Sequence, residues 1–285
     1  MTTPVVQLFL HARPGWRARR RIVALQRAFR ERGAEILITR SVSDRLEIDA
    51  RATHVCAVGG DGTLRHVVDA LYRSGRPLPI SAYPAGTVNL RARECRYPRS
   101  PHAFVRRVLD GGQRTAHHIA LVNGVPLLSC GSVGPDSFAV EAVSPVLKRR
   151  FGRAAYLWAF CKLLMHWPRT RMILSWQGER MVCEAVYVAK GHFFAGPWTF
   201  APQAWATDPL LHVVALEQAS RGRFLRFAWA IVRGRPLTAR DGVRCFSCGE
   251  LAISGDAGVP LQADGDVVAH LPAVISLRAE PAQFA

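Results

Sequence analysis

Apolar and polar positions follow two different patterns along the chain. In the N-terminal part, short apolar runs that predict strands alternate with stretches of helical periodicity. We predict strands over Val5–Leu10, Glu35–Thr39 and His54–Val58, and a sheet-covering helix over Trp16–Arg32. This alternation is typical of a parallel α/β sheet, in which ligands bind where the strands end.

Beyond residue 113 the pattern changes to short β-like runs. Seven of them are predicted: Ala116–Val122, Pro126–Ser129, Arg171–Trp176, Met181–Ala189, Leu211–Leu216, Leu251–Ser254 and Val274–Arg278. One helical insert, Ala154–His166, interrupts them. So many strands predict an antiparallel β-sandwich. We therefore predict an α/β domain over residues 1–115 and a sandwich over 116–285, with the last strand or helix returning to the first domain.

A glycine-rich acidic turn follows the strand that ends at Val58. Gly-Gly-Asp-Gly occupies residues 59–62 and precedes a helix predicted over Thr63–Tyr72. Glycines let backbone amides approach an anion closely, and a helix N-terminus favours negative charge. Asp61 would repel a bare phosphate, so it favours a metal-nucleotide complex, a water network or an oriented hydroxyl. The pattern indicates phosphoryl transfer, although an ordinary strand-to-helix turn has the same sequence.

A second turn of small residues strengthens this interpretation. The apolar run Leu78–Tyr83 predicts a strand, and Pro-Ala-Gly-Thr-Val-Asn follows it over residues 84–89. Two successive strand-turn-helix units place both turns at the same edge of a parallel sheet. We expect a single ligand site at that edge.

The two turns, in this order and at this spacing, resemble the catalytic domain of the diacylglycerol kinase family, which includes bacterial lipid kinases, sphingosine kinases and ceramide kinases. Five segments beyond the first turn carry the likeness along the chain: residues 84–89, 131–136 (Gly-Ser-Val-Gly-Pro-Asp), 148–156 (a basic-Gly-Tyr stretch), 200–211 (a Pro-x-Ala segment leading to Asp208) and 262–266 (Gln-Ala-Asp-Gly-Asp). The resemblance implies a Rossmann-like nucleotide-binding domain of the NAD-kinase and diacylglycerol-kinase type, with a β-sandwich that binds the lipid substrate.

The resemblance also implies an activity: ATP-dependent transfer of the γ-phosphate to a lipid hydroxyl, with Mg²⁺, in the cleft between the domains. It implies nucleotide contacts at Thr39, Gly59, Gly60, Asp61, Gly62, Thr63, Thr87 and Asn89. Asp266 maps onto the family's general base, and Asp61 would sit beside the phosphates or the metal-bound water. Asp208 maps onto the acid of a structural magnesium site, with carbonyls expected from Trp205 and Leu210. We expect Asp61 and Asp266 to be essential to transfer while contributing little to the fold.

Several of these residues could have a purely structural role instead. Asp264-Gly265-Asp266 is also a favoured hairpin-turn sequence, and a turn can still aim a catalytic side chain. Asp136 either orients the nucleophile or caps a turn. Aromatic residues between Phe193 and Trp205 either line a lipid channel or fill the sandwich core.

The chain departs from the family pattern at several positions. These are Arg65-His66 in place of Asn-Glu, Leu90 in place of an acid, Lys190 in place of Asn, Pro209 in place of Gly, and Asp266 in place of Glu. A non-catalytic nucleotide or lipid sensor would account for the lost acids. An NAD kinase shares the first turn, but the second turn fits lipid kinases better.

Composition narrows the classes of partner. The formal net charge is +17, and only Lys148, Lys162 and Lys190 of the 38 basic residues are lysines. A basic protein attracts anions, and no nucleic-acid module is recognisable, so we expect contact with anionic membrane surfaces, although a well-charged soluble surface has the same composition. The lipid alcohol substrate is what the family resemblance implies. A basic nucleic-acid-binding protein stays an alternative, and the sequence leaves a homodimer open.

Cysteines and apolar runs indicate the compartment. The seven cysteines are scattered and odd in number, which is typical of reduced core residues. Cys245 and Cys248 have the spacing of a metal pair, but no second pair completes a zinc site, so we predict a structural role. The apolar run Met1–Leu10 has no basic residues ahead of it, so we do not expect a secretory signal, and no apolar run reaches about 18 residues. We therefore expect a cytoplasmic protein that associates peripherally with membranes.

Overall fold

The computed structural model describes residues 3–11, 16–41, 46–110, 114–143, 153–165, 167–238 and 241–285. The chain divides into two compact units. Unit 1 comprises Met1–His117 together with Glu280–Ala285, and unit 2 comprises His118–Ala279. The chain therefore returns to unit 1 at its C-terminal end.

Unit 1 is built around one mainly parallel sheet. Its strands are β1 (Val5–His11), β2 (Glu35–Ser41), β3 (His54–Gly59), β4 (Ile80–Pro84), β5 (Thr115–His117) and β18 (Ala282–Phe284). Its helices are α1 (Trp16–Glu31), α2 (Asp61–Ser74), α3 (Leu90–Glu94) and α4 (Pro101–Leu109). The strand order is β2-β1-β3-β4-β18-β5, and β18 runs parallel to β4 and antiparallel to β5.

The two central strands of this sheet are buried along almost their whole length. All five residues of β4 and the inner residues of β3 are buried, as the continuous apolar runs of the sequence predict. The parallel register pairs Gly59 with Pro84 at the carboxyl ends of β3 and β4. Both turns therefore begin at one sheet edge.

Unit 2 consists mainly of two antiparallel sheets. The first, in the order β10-β9-β14-β17-β6-β7, contains β6 (Ala120–Val122), β7 (Val125–Leu127), β9 (Met172–Trp176), β10 (Glu179–Cys183), β14 (Glu250–Gly255) and β17 (Ala273–Leu277). The second, in the order β13-β12-β11-β8-β15-β16, contains β8 (Cys130–Val133), β11 (Ala185–Ala189), β12 (Leu211–Leu216), β13 (Val243–Cys248), β15 (Pro260–Ala263) and β16 (Asp266–His270). Residues from both sheets share one apolar core, among them Leu174, Val186, Val213, Leu251 and Leu261.

Within the described residues, the helices that accompany these sheets are α5 (Pro135–Ala142), α6 (Arg153–Met165) and α7 (Arg221–Val232). The parallel α/β sheet of unit 1 and the antiparallel sheets of unit 2 confirm the predicted fold class. Cys248 on β13 is buried, but Cys245 on the same strand and Cys161 are exposed, so the prediction that all cysteines are core residues is wrong.

Two of the predicted strands are wrong as single elements. Met181–Ala189 divides at Glu184 into β10 and β11, which belong to different sheets. The Glu184 carbonyl accepts a hydrogen bond from Thr170, and its carboxylate accepts one from the Ala219 amide, so the break is held by specific partners. Ala116–Val122 likewise divides into β5 and β6, because the chain passes from unit 1 to unit 2 at His117.

Candidate functional site

The two turns of unit 1 interlock. The Gly59 carbonyl accepts hydrogen bonds from the amides of Ala85 and Gly86, at 3.1 and 2.9 Å. A Cβ atom on Gly86 would lie 2.4 Å from Gly60 Cα and 2.7 Å from its nitrogen. Only glycine at position 86 allows this approach of the two backbones. The sequence therefore builds a paired turn rather than two separate ones.

Asn89 fixes the second turn. It adopts a left-handed conformation with φ 58° and ψ 55°, which Asn tolerates better than most residues. Its Oδ1 accepts a hydrogen bond from the Gly86 amide, and its Nδ2 donates one to the Gly86 carbonyl. The side chain thus closes the turn on itself, and Thr87 between them is exposed.

Asp61 connects the first turn to the helix that follows the second. Helix α2 begins at Asp61 rather than near Thr63, so Asp61 lies in its first turn. The carboxylate accepts hydrogen bonds from the amides of Leu90 and Arg91, at 3.0 and 3.1 Å, where α3 begins. The residue is 9% exposed. The carboxylate satisfies helix-terminal amides that lack an intrahelical acceptor, so we predict from the structure that Asp61 does contribute to the fold.

The remaining nucleotide candidates of unit 1 lie around these turns. Thr63 is buried, and its Oγ1 would be 2.4 Å from a Cβ on Gly59, so the hydroxyl lies over that glycine. The N-cap of helix α2 is Gly60, which has no side chain that could cap the helix. The N-terminus of α2 therefore lies at the sheet edge without a side-chain cap, and helix N-termini bind anions.

Thr39 lies on β2, in the same sheet but before the strand ends. It is aligned with Phe9 on β1, and Phe9 is aligned with Ala57 on β3. The Thr39 hydroxyl accepts a hydrogen bond from the side chain of Gln7, which is buried. The structure therefore gives Thr39 a partner inside the sheet, and its nucleotide contact stays a prediction.

In unit 2, Asp266 follows a two-residue hairpin turn. Asp264 and Gly265 have φ values of 52° and 86°, and they connect β15 to β16 with Ala263 opposite Asp266. Positive φ at both central residues is characteristic of the turn that Asp-Gly favours. The predicted hairpin is confirmed, and it presents Asp266 as the half-buried first residue of an edge strand.

The carboxylate of Asp264 anchors this hairpin, a role that the sequence analysis missed. It accepts hydrogen bonds from the amides of Leu128, Ser129 and Cys130, at 2.8, 2.7 and 3.2 Å. These partners lie more than 130 positions away in sequence, so no local pattern could reveal them. The anchor fixes the backbone immediately before Asp266.

A buried polar network extends from the hairpin to α5. The Gly265 amide donates to Gln262 Oε1, and Gln262 Nε2 donates to the hydroxyl of Ser132. Ser132 and Tyr187 both donate to the carboxylate of Asp136. Burial raises the pKa of Asp136, and burial raises the pKa of Tyr187 well above its usual value. The Asp136 carboxylate therefore orients the hydroxyl groups of Ser132 and Tyr187.

Two of the predicted magnesium ligands, Trp205 and Asp208, have protein partners in the structure. The Trp205 carbonyl accepts a hydrogen bond from the ammonium of Lys190, and the Asp208 carboxylate contacts His212 Nε2. Leu210 is exposed. In the part of the chain that the structure describes, no cluster of three or more His, Cys, Asp or Glu side chains could hold a metal ion.

Family models match both units in turn. The diacylglycerol kinase catalytic domain matches residues 6–121, and the YegS C-terminal domain, described as NAD kinase beta sandwich-like, matches residues 130–284. The chain belongs to the diacylglycerol kinase family, with a YegS-type C-terminal domain. Of the segments that carry the resemblance, residues 148–152 lie outside the described residues.

Individual relatives agree with this assignment. A Pseudomonas aeruginosa protein named "Probable lipid kinase YegS-like" is 34% identical over 167 residues, which are 56% of this chain and 53% of that protein. The chain thus spans about half the length of this relative. The diacylglycerol kinase of Bacillus subtilis is 23% identical over 220 residues, covering 76% of this chain and 72% of the relative.

Solved structures share the fold. The crystal structure of a diacylglycerol kinase from Bacillus anthracis has a TM-score of 0.71 and 15% identity, covering 100% of this chain and 97% of the other. At that identity the likeness supports the fold alone. Among the described residues, no helix combines the length and the apolar character needed to cross a membrane.

Proposed function

We propose that this protein is an ATP-dependent lipid kinase that transfers the γ-phosphate to a lipid hydroxyl. The observation that carries the proposal is the interlocked pair of turns, residues 59–63 and 84–89, at one edge of the parallel sheet. Membership of the diacylglycerol kinase family supports it, as do relatives named lipid kinase and diacylglycerol kinase.

The paired turns supply what triphosphate binding requires. Gly59, Gly60 and Gly62 keep the backbone free of side chains, and the N-terminus of α2 contributes a favourable dipole. Thr63 and Thr87 add hydroxyl groups to the same turns. Mg²⁺ bound with the nucleotide would neutralise charge on the transferred phosphoryl group.

Asp266 is our candidate for the general base. Its carboxylate would accept the proton of the lipid hydroxyl as that oxygen attacks the γ-phosphorus, and the bond to the β–γ bridging oxygen would break to release ADP. The Asp264 anchor supports this role, because three amide hydrogen bonds hold the backbone that orients Asp266. Asp136 acts further back, through the Ser132 and Gln262 side chains.

A nucleotide-binding sensor without turnover is the second candidate. The replacement of two acids of the family pattern, at His66 and Leu90, favours it. In the structure, the backbone amide of Leu90 donates a hydrogen bond to the carboxylate of Asp61. An NAD kinase is the third candidate, and the likeness of the second turn to lipid kinases counts against it.

Transfer of labelled γ-phosphate from ATP with Mg²⁺ separates these functions. The acceptors are a panel of diacylglycerol, sphingoid bases and isoprenoid alcohols in mixed micelles, with NAD in a parallel reaction. We expect a labelled lipid and no labelled NADP. Labelled NADP without labelled lipid would instead show an NAD kinase, and ATP binding with no labelled product would favour the sensor.

We also propose that α7 contacts anionic membrane surfaces. The face of α7 that points away from the core carries Leu225, Trp229 and Val232, which are 45, 59 and 47% exposed and lie at helical spacing. The exposed arginines Arg226 and Arg233 lie beside this stripe, and Arg233 stacks over the Trp229 ring. An exposed apolar stripe with flanking cations is typical of helices that lie in the membrane interface.

The charge of the whole chain supports the same partner. With a formal net charge of +17, long-range attraction would bring the protein to acidic lipids, and the α7 stripe would then bury apolar surface. We propose on this basis a cytoplasmic protein that associates peripherally with membranes. A homodimer is a further proposal, which light scattering of the purified protein would test.

A further inference from the structure

Lys190 is a fully buried cation in unit 2. It directly follows β11, and it is 0% exposed. Its Nζ donates hydrogen bonds to the backbone carbonyls of Trp205, Ala206 and Asp208, at 3.3, 3.3 and 2.6 Å. An ammonium carries three N–H donors, so these three acceptors match its capacity. Lysine is rarely buried without such compensation.

The carbonyls that converge on Lys190 belong to one short loop, residues 205–208. The loop is also closed on itself, because the Asp208 amide donates to the Trp205 carbonyl at 3.0 Å. The Ala206 carbonyl accepts a second hydrogen bond, from the His118 amide at 2.8 Å. The ammonium therefore sits where several carbonyl dipoles of a turn point inward, which is an arrangement that stabilises a cation.

Asp208 places a negative charge at the same loop. Its carboxylate contacts His212 Nε2, and His212 Nδ1 lies 3.0 Å from the hydroxyl of Ser247. Burial lowers the pKa of His118, and the charge of Lys190 lowers it further while that of Asp208 raises it. Both charges thus act on one neighbouring imidazole.

The family resemblance implies a structural divalent cation in this loop, with Trp205 and Asp208 among its ligands. Mg²⁺ requires oxygen ligands at about 2.0–2.1 Å in near-octahedral geometry. The Trp205 carbonyl already accepts a hydrogen bond from a cation, and a divalent ion close to that ammonium would meet strong repulsion in a buried site. The residues present therefore fit an ammonium and not a metal.

We propose that the Lys190 ammonium takes the place of a structural divalent cation at the 205–208 loop. The loop is then held by a side chain of the same polypeptide, and its stability is independent of free metal. The consequence reaches the hairpin of Asp266, because the Lys190 amide donates to the Ser129 carbonyl and the Ser129 amide donates to Asp264. One residue, Ser129, connects the two assemblies.

Thermal unfolding of the wild type, without nucleotide and at constant ionic strength, tests the proposal. We expect the same melting temperature in EDTA and in millimolar Mg²⁺, and no tight binding of Mn²⁺ measured by electron paramagnetic resonance. A melting temperature that falls in EDTA, recovers with Mg²⁺ and loses this response in Asp208→Asn would overturn the proposal.

A pair of lysine variants tests the role of the ammonium itself. Lys190→Asn is expected to melt roughly 5–10 °C below the wild type in EDTA, because buried carbonyls lose a charged donor. Lys162→Asn, which changes an exposed lysine on α6, is the matched control and should melt like the wild type. Failure of Lys190→Asn alone to fold would also support the proposal, whereas melting at the wild-type temperature would overturn it. Neither measurement depends on kinase activity.

Discussion

Gly86 lies directly against Gly60, so that a Cβ on Gly86 would come within 2.4 Å of the Gly60 Cα. This contact joins the two glycine turns into one unit, and the Gly59 carbonyl reinforces it by accepting both the Ala85 and the Gly86 amides. The proposed phosphate site therefore depends on the packing of backbone against backbone. Any side chain at position 86 has to separate the turns.

Gly86→Ala is expected to weaken ATP binding and to destabilise unit 1 by about 1–3 kcal/mol, because the added methyl group overpacks a backbone contact. Calorimetric titration with ATP and Mg²⁺, together with chemical denaturation, measures both effects. Gly249→Ala makes the same chemical change where nothing lies within 4 Å, and it should leave both quantities unchanged. ATP affinity of Gly86→Ala equal to that of the wild type would contradict the paired-turn site.

Asp61→Ala is expected to lower the free energy of unfolding by about 0.5–2 kcal/mol, in addition to any loss of turnover. The reason is that the amides of Leu90 and Arg91 lose their acceptor at the start of α3. Asp69→Ala, on the same helix, removes only an exposed ion pair with Arg73 and should cost no more than about 0.5 kcal/mol. Equal urea denaturation midpoints for the two variants would show that the α3 contacts contribute nothing.

Stability should fall with decreasing pH because of His54. Burial lowers the pKa of His54 from 6.5 to about 4, and the charge of Arg114 contributes further. Below pH 6.5 His54 binds a proton in the unfolded chain but stays neutral in the folded chain. The contribution of His54 to the free energy of unfolding is therefore fully present above pH 6.5, and it is lost progressively as the pH falls to about 4. The loss amounts to at most about 3 kcal/mol.

His54→Gln does not titrate and should remove this part of the acid dependence. Urea denaturation of both proteins at several values between pH 7 and pH 4 gives the two slopes. The buried Nε2 atom of His54 has no hydrogen-bond partner among the described residues, so the substitution breaks no hydrogen bond of that atom. Parallel slopes for wild type and variant would contradict the assignment.

Trp229→Ala should reduce binding to anionic vesicles by about tenfold, since a large exposed aromatic side chain leaves the proposed interface. Co-sedimentation with vesicles of phosphatidylglycerol and phosphatidylcholine measures the partition coefficient. Trp16→Ala is the matched control, because Trp16 is also exposed and also has an arginine, Arg20, over its ring. No loss for either variant would favour diffuse electrostatic attraction, and a similar loss for both would show that the apolar contact is not specific to α7.

Local sequence signals predicted much of unit 1. The continuous apolar runs before Gly59 and Pro84 are buried strands, and their pairing follows from parallel order.

In unit 2, helix α7 was not predicted, because its apolar residues divide between a buried face and an exposed stripe and so mask the periodicity. Boundaries between sheets, as at Glu184, depend on distant hydrogen bonds that a local pattern does not contain.

The candidate site shows the same limit. Gly59 and Asn89 were identified by residue type: a Cβ on Gly59 would lie 2.4 Å from the Thr63 hydroxyl, and Asn89 adopts a positive φ of 58°. The roles of Asp264 and Lys190 were not, because their partners are backbone groups brought together by the fold. The sequence shows which side chains have reactive groups. The tertiary structure determines which of these side chains instead form hydrogen bonds that stabilise the fold.

Asp264 and Asp266 lie two residues apart, and amide substitution should destabilise the protein more at Asp264 than at Asp266. Asp264→Asn should lower the free energy of unfolding by about 1.5–3 kcal/mol, because a neutral side-chain amide replaces the carboxylate that accepts three backbone hydrogen bonds. Asp266→Asn should cost less stability. Chemical denaturation of the two variants, with circular dichroism to verify folding, measures the difference.

The central claim is phosphoryl transfer to a lipid hydroxyl with Asp266 as the base. Its most direct test is the initial rate of labelled phosphate transfer from ATP to the best lipid acceptor, for wild type, Asp266→Asn and the exposed-turn control Asp256→Asn. We expect a fall of about 10²–10⁴-fold for folded Asp266→Asn and a wild-type rate for the control. Transfer by Asp266→Asn at the wild-type rate would contradict the account, and so would the absence of a labelled lipid with wild-type enzyme that binds ATP.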